Sequence, residues 1–426
     1  MEIRRIAWFY TELAQSGGGE RLSLEGERFF AGEGIENLFL AYSPHDPRAA
    51  FEGRYSPRVV SKGDARFLKG EGGIPAVLSQ AAWLRRKLLE FRPDIVMTEG
   101  TFVQAVHVYL ATLGTGIPYA AQAAGSLFAY PPERERSKYS LAFRRHVRGI
   151  RELAVGYRET VPLEAPPLPF AKRAYNEAFS LLKLLALRKA SRVFVHSERT
   201  RREVGLLYGR DALPLRGAYP KTIFSHRTGS DPRARLGLEG RKVVLTLSRH
   251  AGHKRMDLVL RAFALLTERV KDAVLLIGGK SWPCDEFRVP EGSLEGLARE
   301  LGVWESVRFL GYVPDAGLWD LYACCDAFIH MDLADFDIAP YEALALGRKV
   351  VWSEEMEAEP DLMSLGRVFP AAPEPAAAAA ALEAALDAPG APLDARTRAV
   401  LERYSWEEYF KAMLCELNSA VRESRA

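Results

Sequence analysis

The sequence has few cysteines and no long apolar segment. Its four cysteines among 426 residues have no spacing typical of a metal site. Two of them are adjacent and would need a strained ring to bridge, so a reduced, cytoplasmic chain is expected. No run approaches the roughly 18 apolar residues of a membrane span. The first residues, MEIRRIAWFYTELAQ, lack the apolar core of a signal peptide.

Net charge is also nearly absent. The 58 basic and 55 acidic side chains leave a formal charge of +3, which argues against a general nucleic-acid-binding protein. The first glycine-rich stretch, SGGGER, has neither the G-x-G-x-x-G dinucleotide spacing nor a P-loop nearby. Taken alone, SGGGER is therefore a weak signal of a phosphate site.

Short apolar runs alternate with longer helical patterns, first from RIAWFY and again from RKVVLTLSR. This alternation predicts parallel sheets with crossover helices, and the length predicts about two domains. The expected fold class is α/β, with two Rossmann-like doubly wound domains facing across a cleft. We place these domains at residues 1–217 and 218–404. Residues 405–426 are expected to form an amphipathic helix that packs back on a domain surface.

One segment of the first half is basic. Residues 126–190 contain 13 Lys or Arg and 6 Asp or Glu, an excess of 13 − 6 = +7. Basic amphipathic stretches can lie on an anionic membrane surface. Ordinary helices flanking a long loop explain the same composition. The localisation expected from the sequence is thus cytoplasmic, with peripheral contact at the inner membrane face as the alternative.

Three segments have the chemistry of an anion site. The first is the loop after VVLTLS, where Arg249 and Lys254 stand with other cations just before a helix expected near Met256. Cations beside a helix N-terminus bind phosphate well, although a solvated basic loop would look the same. The second is SGGGER, in which Gly17 and Gly18 allow the backbone to approach a ligand. A tight turn is an equal explanation there.

The third segment is ADFDIAPYEALALGRKVV, residues 334–351. We expect Asp337 to cap a helix, Gly347 to end it, and Glu342 to lie in its first turn, leaning toward the preceding loop. A carboxylate at this position is favoured by the helix dipole without any ligand. It would also suit a pair of sugar hydroxyls, because a carboxylate only accepts hydrogen bonds.

Together these segments resemble retaining nucleotide-sugar glycosyltransferases of the GT-B fold, particularly family 4. SGGGER is similar to the family's G-G-x-E-R loop, and SRHAGHK to its G-R-x-x-x-x-K segment. VRFLGYVPDAGLWDLYACCDAFIHMD and ADFDIAPYEALALGRKVV resemble two further runs of that family in the same order. The resemblance covers most of residues 240–360 and a short piece of the first domain.

The resemblance implies roles for individual residues. Arg249 and Lys254 would bind the donor diphosphate and stabilise the leaving group, and Glu342 would hold ribose hydroxyls. A second group would lie along the donor; it comprises Gly17, Gly18, Asp335, Phe336, Asp337 and Ile338. The implied reaction retains anomeric configuration and needs neither a metal ion nor a cofactor. The donor would be a UDP- or GDP-sugar, and the acceptor a saccharide, a lipid-linked saccharide or a small metabolite, as in polysaccharide biosynthesis. Glu99 is a candidate acceptor contact.

The chain departs from the family pattern at three positions. Ala334 replaces a glutamate, Asp337 replaces a glycine, and Ala124 replaces a histidine before Gly125. These departures keep two alternatives to an active hexosyltransferase open. One is a catalytically impaired nucleotide-sugar-binding protein, and the other is a nucleotide-sugar epimerase of the same fold.

Overall fold

The computed structural model describes most of the chain. The described residues are 2–11, 13, 18–43, 55, 57–63, 73–100, 102–123, 125, 144–153, 163, 167, 169–228, 232–281, 289–333, 336–390 and 392–425, with the backbone alone for 18–20. The chain divides into two compact units, residues 1–217 with 406–426, and residues 218–405. We call them the first and second domains.

The first domain is a seven-stranded parallel sheet in the order β3-β2-β1-β4-β5-β6-β7. Its strands are Arg5–Tyr10 (β1), Glu36–Ala41 (β2), Val59–Ser61 (β3), Ile95–Gly100 (β4), Tyr119–Ala123 (β5), Arg192–Val195 (β6) and Leu213–Pro214 (β7). Its helices are Gly18–Gly32 (α1), Gly73–Phe91 (α2), Val103–Thr112 (α3), Val147–Leu153 (α4), Phe170–Lys189 (α5) and Glu198–Tyr208 (α6). Strand β1 pairs in parallel with both β2 and β4, so it lies inside the sheet and not at an edge.

The second domain is a six-stranded parallel sheet in the order β10-β9-β8-β11-β12-β13. Its strands are Lys242–Leu247 (β8), Ala273–Gly278 (β9), Val307–Gly311 (β10), Ala327–His330 (β11), Lys349–Ser353 (β12) and Val368–Ala371 (β13). Its helices are Pro232–Leu236 (α7), Met256–Arg269 (α8), Ser293–Glu300 (α9), Asp315–Cys324 (α10), Ile338–Ala345 (α11), Pro360–Met363 (α12), Pro375–Asp387 (α13) and Ala395–Glu402 (α14). The strand order 3-2-1-4-5-6 within this domain is that of a Rossmann sheet.

The strands are buried on both faces, which is why their sequences are almost continuously apolar. In β8, for example, five consecutive residues from Val243 to Leu247 are buried. The expected alternation of strands and helices is confirmed in both domains. The short strands β3, β7 and β13 were not predicted.

The last helix, Trp406–Arg425 (α15), belongs to the first domain although it follows the second in the chain. Its buried face includes Trp406, Phe410 and Met413, which join the core cluster that contains Trp8 and Phe30. The rings of Phe30 and Phe410 lie 5.8 Å apart. Among the described residues, no helix has the length and apolar character needed to cross a membrane.

Candidate functional site

The second sheet brings two candidate segments to neighbouring strands. β8 and β11 are adjacent, and the sheet continues outward in opposite directions from this pair. In open parallel sheets, ligands bind beyond the carboxyl ends of the strands at such a switch point. The loop after β8 carries Arg249 and Lys254, and the segment after β11 leads to Asp337 and Glu342. The two segments are about 80 residues apart in the sequence, and the pairing of β8 with β11 brings them to the same edge of the sheet.

Lys254 lies buried in a short 3-10 helix, Gly252–Lys254, with 8% of its surface exposed. Its ammonium donates hydrogen bonds to the carboxylates of Asp332 and Asp337. Burial alone would lower the pKa of Lys254, but the two carboxylates raise it above its ordinary value. The side chain is therefore a fixed cation between two anions.

The pKa values of the two aspartates are shifted in opposite directions. Burial raises the pKa of the Asp332 carboxyl to about 6, against the opposing effect of Lys254. Burial opposes ionisation of Asp337 as well, yet Lys254 and His330 hold the pKa of that carboxyl well below its usual range. The Nε2 atom of His330, the last residue of β11, lies 2.9 Å from Asp337 Oδ2 and 3.8 Å from Asp332 Oδ2. We call His330, Asp332 and Asp337 the His-Asp-Asp cluster.

Helix α11 begins one residue after Asp337, as expected, and Gly347 follows its end with φ of 77°. The expectation that the Asp337 side chain caps the helix is wrong. Asp337 stands at the N-cap position, but its carboxylate makes no hydrogen bond to the helix and binds Lys254 instead. A charge-assisted bond to a buried ammonium is stronger than a bond to a backbone N–H, which explains the preference.

Glu342 is the fifth residue of α11, so its expected place in the first turn is also wrong. The side chain is 3% exposed, and its Oε2 accepts a hydrogen bond of 3.1 Å from the hydroxyl of Tyr322 on α10. Burial, followed by the charge of Glu342, raises the pKa of Tyr322 well above its ordinary value, so the phenol stays a donor. The use of Glu342 as a ribose contact stays a prediction.

The cations of the loop after β8 separate into two groups. Arg249 is half-buried, and its charge acts on His253. Burial, then the charges of Lys254 and Arg249, lowers the pKa of His253 to about 3, so this imidazole is neutral. Arg255 instead binds Glu355 and, at 3.4 Å, the carbonyl oxygen of Met331. The use of Arg249 and Lys254 as a phosphate-binding pair stays a prediction.

The remaining predicted residues of the second domain flank α11. Phe336 is half-buried with its ring 4.8 Å from that of Tyr341, and Ile338 is the first residue of the helix. Asp335 and Ala334 lie outside the described residues, as do Gly17 and Ala124 of the first domain. Gly18 begins α1. The structure thus brings Lys254 and Asp337 into contact and keeps Phe336 and Ile338 beside them.

Glu99, the candidate acceptor contact, is buried at the carboxyl end of β4. Its Oε2 accepts hydrogen bonds from Tyr10 at 3.0 Å and from Ser23 at 2.7 Å. β4 pairs with β1, so Glu99 and Tyr10 mark the switch point of the first sheet, the equivalent of Lys254 and Asp332 in the second. Its role as an acceptor contact stays a prediction.

Sequence reasoning did not include His330, Asp332 or Tyr322 among the site residues. His330 and Asp332 lie at the carboxyl end of an apolar strand, which is the available signal: polar residues there face the ligand edge of a parallel sheet. Tyr322 gives no local signal, because its contact with Glu342 joins two helices. The described site thus contains a buried cation, Lys254, and a buried carboxylate, Glu342, and their use toward a diphosphate and sugar hydroxyls stays a prediction.

Similarity to solved structures defines the class of protein. Sucrose-phosphate synthase from Thermosynechococcus elongatus aligns with 96% of this chain and 97% of its own, with a TM-score of 0.68 and 16% identity. At this identity the match establishes the fold alone. The chain therefore has the GT-B fold, which consists of two Rossmann-like domains.

The particular family follows from the second domain. Residues 231–403 match the family model of glycosyl transferases group 1, and the second domain therefore belongs to that family. Mannosylfructose-phosphate synthase from Agrobacterium fabrum is 36% identical over 122 residues, which is 28% of this chain and 26% of that protein. The GDP-mannose-dependent alpha-(1-6)-phosphatidylinositol monomannoside mannosyltransferase from Mycolicibacterium smegmatis is 33% identical over 146 residues, 31% of this chain and 36% of that protein. Each alignment thus spans about a third or less of the chain, and the aligned part is 26% of one relative and 36% of the other.

Proposed function

We propose that the protein is a retaining glycosyltransferase that moves a hexose from a nucleotide-sugar to a saccharide, lipid-linked or small-molecule acceptor. The observation that carries the proposal is the contact of Lys254, after β8, with Asp337 at the start of the helix that carries Glu342, within a domain of the glycosyl transferases group 1 family. One relative of that domain is named as GDP-mannose-dependent, which supports a nucleoside-diphosphate donor. A UDP- or GDP-sugar is the donor we propose.

In the proposed reaction, the chain stabilises the leaving group. As the glycosidic bond to the diphosphate breaks, negative charge grows on the phosphate oxygens, and the Arg249 and Lys254 cations lower the energy of that charge. Glu342 would accept hydrogen bonds from the ribose hydroxyls and so fix the nucleotide on α11. Because both cations come from the protein, this chemistry requires no metal ion in contact with the diphosphate.

The donor class is tested by thermal stabilisation with UDP-, GDP- and ADP-sugars. A donor at 100 times its Kd stabilises the folded state by about 2.7 kcal/mol and raises the melting temperature accordingly. Glu342→Gln should weaken the binding of the donor that gives a thermal shift at least about tenfold, since a hydrogen bond to a charged group contributes roughly 1.5–3 kcal/mol. Glu300→Gln, an exposed glutamate of the same domain, is the matched control and should leave the response unchanged. If no nucleotide-sugar raises the melting temperature, the proposal is wrong.

A second candidate is a protein that binds a nucleotide-sugar but does not transfer the sugar. It is favoured by the bonds from Lys254 to Asp332 and Asp337, which neutralise one of the two cations needed for the leaving group. Both candidates bind the donor, so thermal shifts do not separate them. A new acceptor-linked sugar, detected by mass spectrometry, is the product that only the transferase forms.

Peripheral contact with an anionic membrane is part of the same proposal. At the start of α5, Phe170 is 87% exposed and is followed by the exposed cations Lys172 and Arg173. An apolar ring beside cations is suited to the interface of an anionic bilayer. We expect the protein to co-sediment with phosphatidylserine vesicles at low salt and to dissociate at high salt, because screening shortens the reach of surface charges. Phe170→Gln should weaken sedimentation, whereas Leu113→Gln, at another exposed apolar position, should not. Absence of sedimentation at low salt would contradict the contact.

A further inference from the structure

The two carboxylates that bind Lys254 differ in their access to solvent. The side chain of Asp332 is fully buried, whereas that of Asp337 is 27% exposed. The Lys254 side chain, which donates to both, is itself buried. The exposed route to the ammonium therefore runs along Asp337, and an anion that comes from solvent meets this carboxylate before it meets Asp332.

The carboxylates around Lys254 exceed the cation in formal charge. One ammonium against two ionised carboxylates leaves 1 − 2 = −1 on the three side chains. Lys254, and then His330 at 2.9 Å, hold the pKa of Asp337 well below its usual range, so this carboxylate stays charged at neutral pH. Charges in a largely buried site are poorly screened. A diphosphate adds more negative charge, so it pairs favourably with Lys254 only if one carboxylate withdraws.

The backbone at Asp337 allows its side chain to withdraw while α11 stays intact. Asp337 has φ of −128° and ψ of 137°, the extended conformation usual for the residue before a helix. Its side chain makes no hydrogen bond to the helix, so rotation of the side chain breaks none. Asp332 lacks this freedom because its side chain is enclosed on all sides. Asp337 is therefore the partner that Lys254 can exchange.

We propose that Asp337 is a built-in competitor of the donor diphosphate, bound to the Lys254 ammonium until a diphosphate displaces it. The inference rests on the proposed function for the identity of the anion, and it names a regulation of the same site. The ammonium stays paired throughout, with Asp332 on one side and either Asp337 or a phosphate on the other. Because every anion must displace Asp337, weakly bound anions such as inorganic phosphate are kept from the site at concentrations at which a tightly bound donor enters.

The competition is tested with inorganic pyrophosphate, which carries the diphosphate group without a base or a sugar. Isothermal titration calorimetry of the full chain at neutral pH, with a chelator present, measures its Kd. Asp337→Asn should bind pyrophosphate at least about tenfold more tightly than wild type, because a neutral amide is a weaker partner for the ammonium than a carboxylate is. Asp337→Glu, which keeps the negative charge, should show much less of this gain.

Asp387→Asn is the matched control, since it removes an exposed carboxylate of the same domain and should leave the Kd unchanged. Circular dichroism establishes that each variant is folded before it is titrated. Asp337→Ser, which is also neutral and suited to the position before a helix, decides the test if Asp337→Asn does not fold.

Three results overturn the competition between Asp337 and a diphosphate. They are pyrophosphate binding by Asp337→Asn that is no tighter than that of wild type, an equal gain in Asp337→Glu, and binding by neither wild type nor Asp337→Asn. Failure of the proposed function is distinguishable from these results. In that case no nucleotide-sugar raises the melting temperature, while the gain in pyrophosphate affinity of Asp337→Asn remains.

Discussion

Replacing Arg249 by alanine should lower the rate of sugar transfer by about 100-fold while the protein remains folded. The guanidinium is half-buried at the carboxyl end of β8, beside the neutral His253. Loss of one donor aimed at developing negative charge costs about 10²–10³ in turnover. Because the charge grows only as the bond to the diphosphate breaks, the effect should fall on kcat more than on KM.

The measurement is the steady-state rate of acceptor-linked product with the donor identified by thermal stabilisation. Arg261→Ala is the matched control, because Arg261 is an exposed arginine on α8 of the same domain. It should retain the wild-type rate. If Arg249→Ala transfers sugar at the wild-type rate, Arg249 does not stabilise the leaving group, and the proposed mechanism is wrong at this residue.

Replacing Lys254 by methionine should destabilise the second domain by about 3–5 kcal/mol at neutral pH. The substitution keeps most of the length of the side chain but leaves the carboxylates of Asp332 and Asp337 buried without their shared cation. Removing one partner of a buried ion pair has a cost of this size because an uncompensated charge stays in the interior. Urea denaturation of the full chain, followed by circular dichroism, measures the loss.

The loss should depend on pH with a defined sign. In the native protein, the pKa of Asp332 is already raised to about 6, above the value of about 3.9 in an unfolded chain. Without Lys254 the carboxyl gains a still greater preference for the proton, so the folded state binds more protons than the unfolded state as the pH falls. The destabilisation should therefore be largest above pH 7 and smaller at pH 5. Adding Asp337→Asn to Lys254→Met should restore part of the stability at pH 8. If Lys254→Met alone is as stable as wild type at that pH, the buried charge cluster is contradicted.

Much of the fold could be predicted from the sequence because its strands are long, apolar and regularly spaced. The strand at RKVVLTLSR and the helix from Met256 are confirmed at β8 and α8. Local rules also predicted that α11 begins after Asp337 and ends before Gly347. These features depend on near neighbours in the chain, which is the range over which hydrophobic periodicity and capping act.

The contacts within the site could not be predicted in the same way. The bond from Lys254 to Asp332 joins residues 78 positions apart, and that from Tyr322 to Glu342 joins two helices. The capping rule assigned the Asp337 carboxylate to the N-terminus of α11. The carboxylate binds the ammonium of Lys254 instead, a residue that is distant in the sequence. Strand order, which the sequence did not specify, decides which loops meet and hence which charges pair.

The connectivity of the two domains bears on how the chain folds during synthesis. Residues 218–405 are contiguous, so the second domain has all of its own residues as soon as residue 405 has left the ribosome. The first domain begins earlier in the chain but lacks Trp406, Phe410 and Met413 of its core until the final helix emerges. The half that is translated first is thus completed last, and its exposed aromatic surface around Trp8 and Phe30 is a natural substrate for a ribosome-associated chaperone in that interval.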